Sequence, residues 1–188
     1  MVEKGRRLRQ TVRVKRTNLL ALLFAAALLA GCKNSQDAAL SPPPSGEMAL
    51  PTQAQPKLPT LRLYLGAETL DAEQALTPRE QQTGMMFRTN IQDSDAMIFV
   101  FPGPFQASFW MKNCPASISA AYIDPAGVIE EIHHLEKNDT NGVVAASANI
   151  QFVLETSDGW FGRHNVGVGA VIRTEKGSLQ ETYFKNRQ

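Results

Sequence analysis

Cysteine is nearly absent from this chain: Cys32 and Cys114 are the only two in 188 residues. Two cysteines allow one disulfide at most, so a disulfide-stapled scaffold is excluded. Long apolar runs are missing as well. The longest, Leu19 to Ala30, has 12 residues, against the roughly 20 that a spanning helix needs. No serine nucleophile elbow, phosphate-binding loop, zinc-ligand spacing or dinucleotide fingerprint is present. Excess positive charge is lacking where it would matter. The net charge of +1 averages two unlike parts, because residues 1–31 hold seven of the 19 Lys and Arg and one of the 18 Asp and Glu. From Cys32 onward twelve basic residues face seventeen acidic ones, a net charge of −5. An acidic body has no general attraction for phosphate backbones, which argues against nucleic acid as a partner. With 20% charged and 43% hydrophobic residues, the composition is that of a globular protein.

The amino-terminal block reads as a targeting signal. Arg6, Arg7, Arg9, Arg13, Lys15 and Arg16 form a basic region ahead of the apolar run, which has the length of a signal-peptide core. The run ends in Leu29-Ala30-Gly31-Cys32, which resembles the lipobox of bacterial lipoprotein precursors. That resemblance implies cleavage before Cys32 and acylation of its thiol, and so a membrane partner through the lipid. Two acyl chains already anchor stably. It also places the protein on the periplasmic side of a bacterial envelope, where Lys33 after the cysteine points to the outer rather than the inner membrane. With Cys32 acylated, Cys114 has no partner and stability rests on the core.

Residues 32–60 carry six of the 11 prolines and few aromatics, the composition of a disordered tether. A β pattern begins at Leu61. Leu61 to Leu65 alternates, and Leu70 to Leu76 is expected to pair with it. Thr77-Pro78-Arg79-Glu80 reads as the start of a short helix with a capping box, ending at Gly84. Ala96–Phe101, Phe105–Met111, Ile150–Glu155 and Val166–Ile172 read as strands. Ser117–Ile123 and Val128–Leu135 flank the turn residues Asp124-Pro125-Ala126-Gly127 and form a hairpin. In Ile150–Glu155 the period puts Ile150, Phe152 and Leu154 on one face. Ser157-Asp158 is expected to cap a helical turn carrying Trp160 and Phe161, and residues 175–188 read as a polar tail. The expected class is all-β: a compact sandwich or barrel of many short strands with one or two short helices.

Five landmarks recur in order: Thr77-Pro78-Arg79-Glu80, Gly84-Met85-Met86-Phe87-Arg88, Met97-Ile98-Phe99-Val100-Phe101, Phe109-Trp110-Met111-Lys112-Asn113 and Phe152-Val153-Leu154-Glu155. With these, residues 61–174 resemble the bacterial and archaeal domain-of-unknown-function family 192. The resemblance implies a compact β fold and no established activity. The chain departs from the family pattern at Cys114, at Ser117-Ile118-Ser119 and at Gly169-Ala170, where two usually acidic positions are neutral.

Trp110, Lys112 and Asn113 are the first candidates for binding, with Arg88 as a possible anion partner. A strand would put Trp110 and Lys112 on one face, where ring and ammonium meet one ligand; as structure, Trp110 is core and Lys112 lies over it. His133 and His134 with Glu130, Glu131 and Glu136 read as a solvated hairpin edge, and His164 stands alone. Cys114 with Met85, Met86, Met97 and Met111 offers sulfur donors of the kind copper(I) prefers, although methionines in apolar runs are usually core. Three classes stay open: a lipid-anchored, non-enzymatic domain binding an envelope ligand or protein; an enzyme acting on an envelope polymer; and a soft-metal handler. No catalytic residue, cofactor or resident metal is expected.

Overall fold

The computed structural model describes residues 48–185. The expected signal segment, Cys32 and the first half of the expected tether lie outside these residues. Among them the fold is all-β as expected: ten strands in sequence order with three short helices. Eight strands form one curled sheet, a half-barrel, in the order β10-β9-β1-β2-β3-β8-β5-β6; β4 and β7 pair separately.

The first hairpin follows from period-two patterning. In β1 (Thr60–Leu65) Leu63 and Leu65 are buried. Arg62, on the other face, meets Asp71 of β2 (Glu68–Ala75) at 2.9 Å across the ladder. Helix α1 (Pro78–Thr83) starts where expected: Thr77 and Glu80 form a capping box and Gly84 ends the helix. Strand β3 (Ala96–Phe105) pairs in parallel with β2 and antiparallel with β8 (Ile150–Ser157). Strands β5 (Ile118–Ile123) and β6 (Ile129–Leu135) form the expected hairpin.

Strand β8 lies near the middle of the sheet, and all eight of its residues are buried. Both sheet faces are therefore covered. One cluster gathers Leu63, Ile98, Phe152, Leu154 and Trp160; the other gathers Met97, Phe99, Tyr122 and Val153. Ile150, expected beside Phe152 and Leu154, packs in the second cluster instead. Next to Ile150 the ladder with β3 is irregular between Val100 and Phe105, where Pro102 and Pro104 supply no N–H for pairing.

Other expectations are corrected. Of the segment 105–111, Phe105 ends β3 and the rest yields only a two-residue strand, β4 (Ser108–Phe109), against β7 (Val143–Val144). Ser157 belongs to β8, and α2 (Trp160–Arg163) is entered through Gly159 at φ 70° with no side-chain cap. Of residues 166–172 only Ile172 enters a strand, β9 (Ile172–Thr174). The expected polar tail instead contains β10 (Gly177–Ser178) and α3 (Leu179–Phe184), capped by Ser178 and Glu181. Leu179 is fully buried, and Tyr183 and Phe184 pack on the first cluster. The second half of the expected tether lies against the domain. Gln55 donates to the Gly84 carbonyl at 2.8 Å, the Leu58 N–H donates to Glu73 at 2.8 Å, and Gln82 donates to the Met48 carbonyl at 3.2 Å.

Candidate functional site

Two loops meet above the face of the second cluster. The first follows α1. Gly84 has φ 48°, and a Cβ there would stand 3.3 Å from the Phe99 ring, so the positive φ and the close approach to β3 both favour a residue without a side chain. Met85 and Met86 then bury themselves, and Phe87 turns the chain back at φ 64°. The second loop runs from Trp110 to Cys114. Asn113 sits at φ 60° and its carbonyl accepts the Phe87 N–H at 2.7 Å. Asparagine takes the left-handed conformation readily; a bulky residue such as Phe does so at a cost. Strain of that kind clusters at binding and switch sites. Phe109 anchors the second loop through an edge-on contact with Phe99, centroids 5.0 Å apart.

Below the loops, one row of the sheet carries two carboxylates. Glu73 pairs in register with Met97, Met97 with Glu155, and Glu155 with Ala120. Glu73 and Glu155 thus share a face two strand spacings apart, about 10 Å at the backbone. Arg88 grips Glu73 with both terminal nitrogens, at 2.7 and 2.9 Å. Burial works to raise the Glu73 pKa, but the Arg88 hydrogen bonds, the Leu58 N–H and the Arg88 charge hold it below its ordinary value. Glu155 has no such help. It is 5% exposed, its Oε2 has no hydrogen-bond partner, and burial pushes its pKa up to about 8 against the opposing charge of Arg88.

Glu155 lines a pocket of about 40 Å³ bounded by Met85, Met86, Phe109, Trp110 and Cys114. Trp110 is 39% exposed, and the Lys112 ammonium lies 5.3 Å from its ring centroid. Trp110 and Lys112 do come together, but in a turn rather than on a strand. Asn113 contributes through its backbone. Arg88 is not open to an anion, because Glu73 holds it. The residue that sequence reasoning missed is Glu155. Its signal was a lone carboxylate ending the apolar run Phe152-Val153-Leu154 of a strand buried on both faces.

The sulfur-bearing residues Cys114, Met85, Met86, Met97 and Met111 gather in the second cluster as packed core. Burial, with a smaller contribution from Glu155, raises the Cys114 pKa to about 12, so the thiol is not the nucleophilic thiolate. The histidines pair with carboxylates: His133 with Glu131 at 2.8 Å, His134 with Asp158 at 2.8 Å, and His164 with Asp93 at 2.7 Å. Among the described residues no group of three or more His, Cys, Asp or Glu is arranged to hold a metal.

This geometry accompanies a family match. The chain matches domain-of-unknown-function family 192, described as "Uncharacterized ACR", over residues 62–174. The chain belongs to this family. Two solved structures are similar to it. A protein of unknown function from Novosphingobium aromaticivorans is 26% identical with a TM-score of 0.58, over 62% of this chain and 86% of the other. A candidate transcription regulator from Sinorhizobium meliloti is 24% identical with a TM-score of 0.57, over 61% and 92%, and shows the fold alone. No curated protein matches the chain. Of the departures from the family pattern, Cys114 lines the pocket, whereas the two neutral residues at usually acidic positions lie away from it. Ser119 faces the opposite side of the sheet from Ala120 and Glu155, where its hydroxyl accepts the Gly159 N–H at 2.9 Å at the entry to α2. Ala170 packs against the first cluster.

Proposed function

We propose that this member of family 192 is a lipid-anchored envelope protein whose domain binds a ligand without transforming it. In this reading a compact group of the ligand enters the pocket beside Glu155, and the remainder lies on Trp110 and Lys112. One observation carries it: a carboxyl 5% exposed, with an oxygen that has no hydrogen-bond partner, lines an open pocket. Burying a polar group without a partner costs about 1–3 kcal/mol, and a ligand donor at that position would remove the cost. The half-exposed Trp110 ring beside it supplies a broad apolar platform, of the kind that interfaces favour.

A carboxyl held near pH 8 also has the profile of a general acid. Hydrolysis of an envelope polymer wants a second carboxylate or another free base, and the neighbouring Glu73 is locked to Arg88. Binding is therefore the favoured reading.

Native mass spectrometry of the chain purified from its own envelope tests the proposal. A retained mass, lost in Glu155→Gln and Trp110→Ala, is the expected result; an identical bare mass for all three proteins rules the pocket out as a binding site. The anchor has its own test. Cys32→Ser is expected to leave the chain unacylated, and a Cys32→Ser protein that still partitions with detergent after normal cleavage overturns the lipoprotein reading.

A further inference from the structure

We propose that the group received by this pocket is a primary ammonium, with Glu155 as its counter-ion and the Trp110 ring beside it. The proposal rests on the binding reading above and names the chemistry of the ligand.

Charge selects the sign. Of the two buried carboxyls, Glu73 and Glu155, Glu73 is doubly bonded to Arg88, so Glu155 is the buried carboxyl left without an ion pair among the described residues. An anion would meet a buried acid. A neutral hydroxyl would give it one weak hydrogen bond, whereas an ammonium gives a charge-assisted one. Size selects the group. A volume of about 40 Å³ is above the roughly 10–15 Å³ that one water needs on the same measure, so the pocket is small. An ammonium with its first methylene is small enough to enter beside Met85, Met86 and Phe109. The aromatic wall already accommodates this chemistry: the Lys112 ammonium rests 5.3 Å from the Trp110 centroid, a distance at which cation and ring attract.

The proton balance closes. Below about pH 8 the free carboxyl keeps its proton. An incoming R–NH3+ takes up its hydrogen-bonding position as that proton leaves to solvent, so the buried site gains no net charge and no covalent bond changes. The titratable groups that face Glu155 are Arg88, Cys114 and Tyr122. All three have pKa values raised above their ordinary values, Arg88 by its hydrogen bonds to Glu73 and Cys114 and Tyr122 by burial, so none titrates in the same range. Glu73, held below its ordinary value, is ionised throughout.

Calorimetric titration of the detergent-solubilised full chain tests this, with n-propylamine against n-propanol, which match in size. Runs at pH 6, 7 and 9 in buffers of different ionisation heat count the protons exchanged. Propylamine is expected to bind at least tenfold more tightly than propanol. It should release about one proton at pH 6, and its affinity should rise about tenfold per pH unit up to about pH 8. Glu155→Gln should abolish both the preference and the proton release, and the pH series on the unaltered chain carries the test if that variant fails to fold. Propanol binding as tightly as propylamine, with loss in Trp110→Ala, overturns the ammonium and leaves the pocket reading intact. Absence of heat from either probe overturns both.

Discussion

Glu73 and Glu155 stand on either side of Met97 in one row of the sheet, yet their surroundings drive them to opposite protonation states. Glu73 holds Arg88 in a two-pronged ion pair and is ionised; Glu155 lacks a partner for Oε2 and keeps its proton to about pH 8. The fold thus carries one acid for structure and one left over, and the leftover acid borders the pocket.

Glu155 should give stability a recognisable pH slope. Its folded pKa of about 8 lies above the ordinary carboxyl value of 4.5, so between those values the folded chain binds more protons than the unfolded chain. Stability then falls as pH rises from about 5 to 8, by on the order of 4 kcal/mol for the full interval. Glu155→Gln should remove that slope and be the more stable protein at pH 8. Urea denaturation at pH 5, 6, 7 and 8 measures it; parallel curves for the two proteins would contradict the burial argument.

Arg88→Met should be among the most damaging changes in the domain. Its guanidinium is largely buried against a carboxylate that is 4% exposed, and removing one partner of such a pair costs about 3–5 kcal/mol. Adding Glu73→Gln should recover much of the loss, because the stranded charge is gone. A double-mutant cycle by chemical denaturation decides, and additive losses would count against the pair acting as a unit.

The two tryptophans should behave differently. Trp160 is 1% exposed and stacks on His164 at 4.4 Å, so Trp160→Ala should cost about 3–5 kcal/mol. Trp110 is 39% exposed, and Trp110→Ala should cost about 1 kcal/mol or less while removing bound ligand. Equal losses in the two unfolding midpoints would return Trp110 to the core.

A chain starting at Pro59 should melt several degrees below one starting at Met48. The shorter chain loses the Gln55 bond to Gly84 and the Leu58 N–H bond to Glu73, each worth about 1 kcal/mol. Calorimetry compares the two. Coincident melting would restore the whole proline-rich segment to the role of a tether.

Much of the fold was legible because it is local. Alternation in Leu61–Leu65, the Thr77–Glu80 capping box and the Asp124–Gly127 turn each act over a few residues, and the structure has each of them. Long-range relations were hidden. The carboxy-terminal helix looked polar because Leu179, Tyr183 and Phe184 are separated by Gln180, Glu181 and Thr182; only docking on the first cluster shows which side is apolar. Residues 48–58 looked unstructured because their partners, the Gln82 side chain, the Gly84 carbonyl and Glu73, are far off in sequence.

The candidate site divides along the same line. The residues alone marked Trp110, Lys112, Asn113 and Arg88 as uncommon side chains in a short compass, and they implied a β domain behind an acylated cysteine. Tertiary structure decided what each does. It drew Arg88 onto Glu73, turned Asn113 into a backbone hinge for Phe87, and left Trp110 and Lys112 at the rim. Above all it selected Glu155, 45 residues beyond Trp110 in the chain. A carboxylate's protonation depends on which charges and how much water surround it, and register between strands distant in sequence sets both.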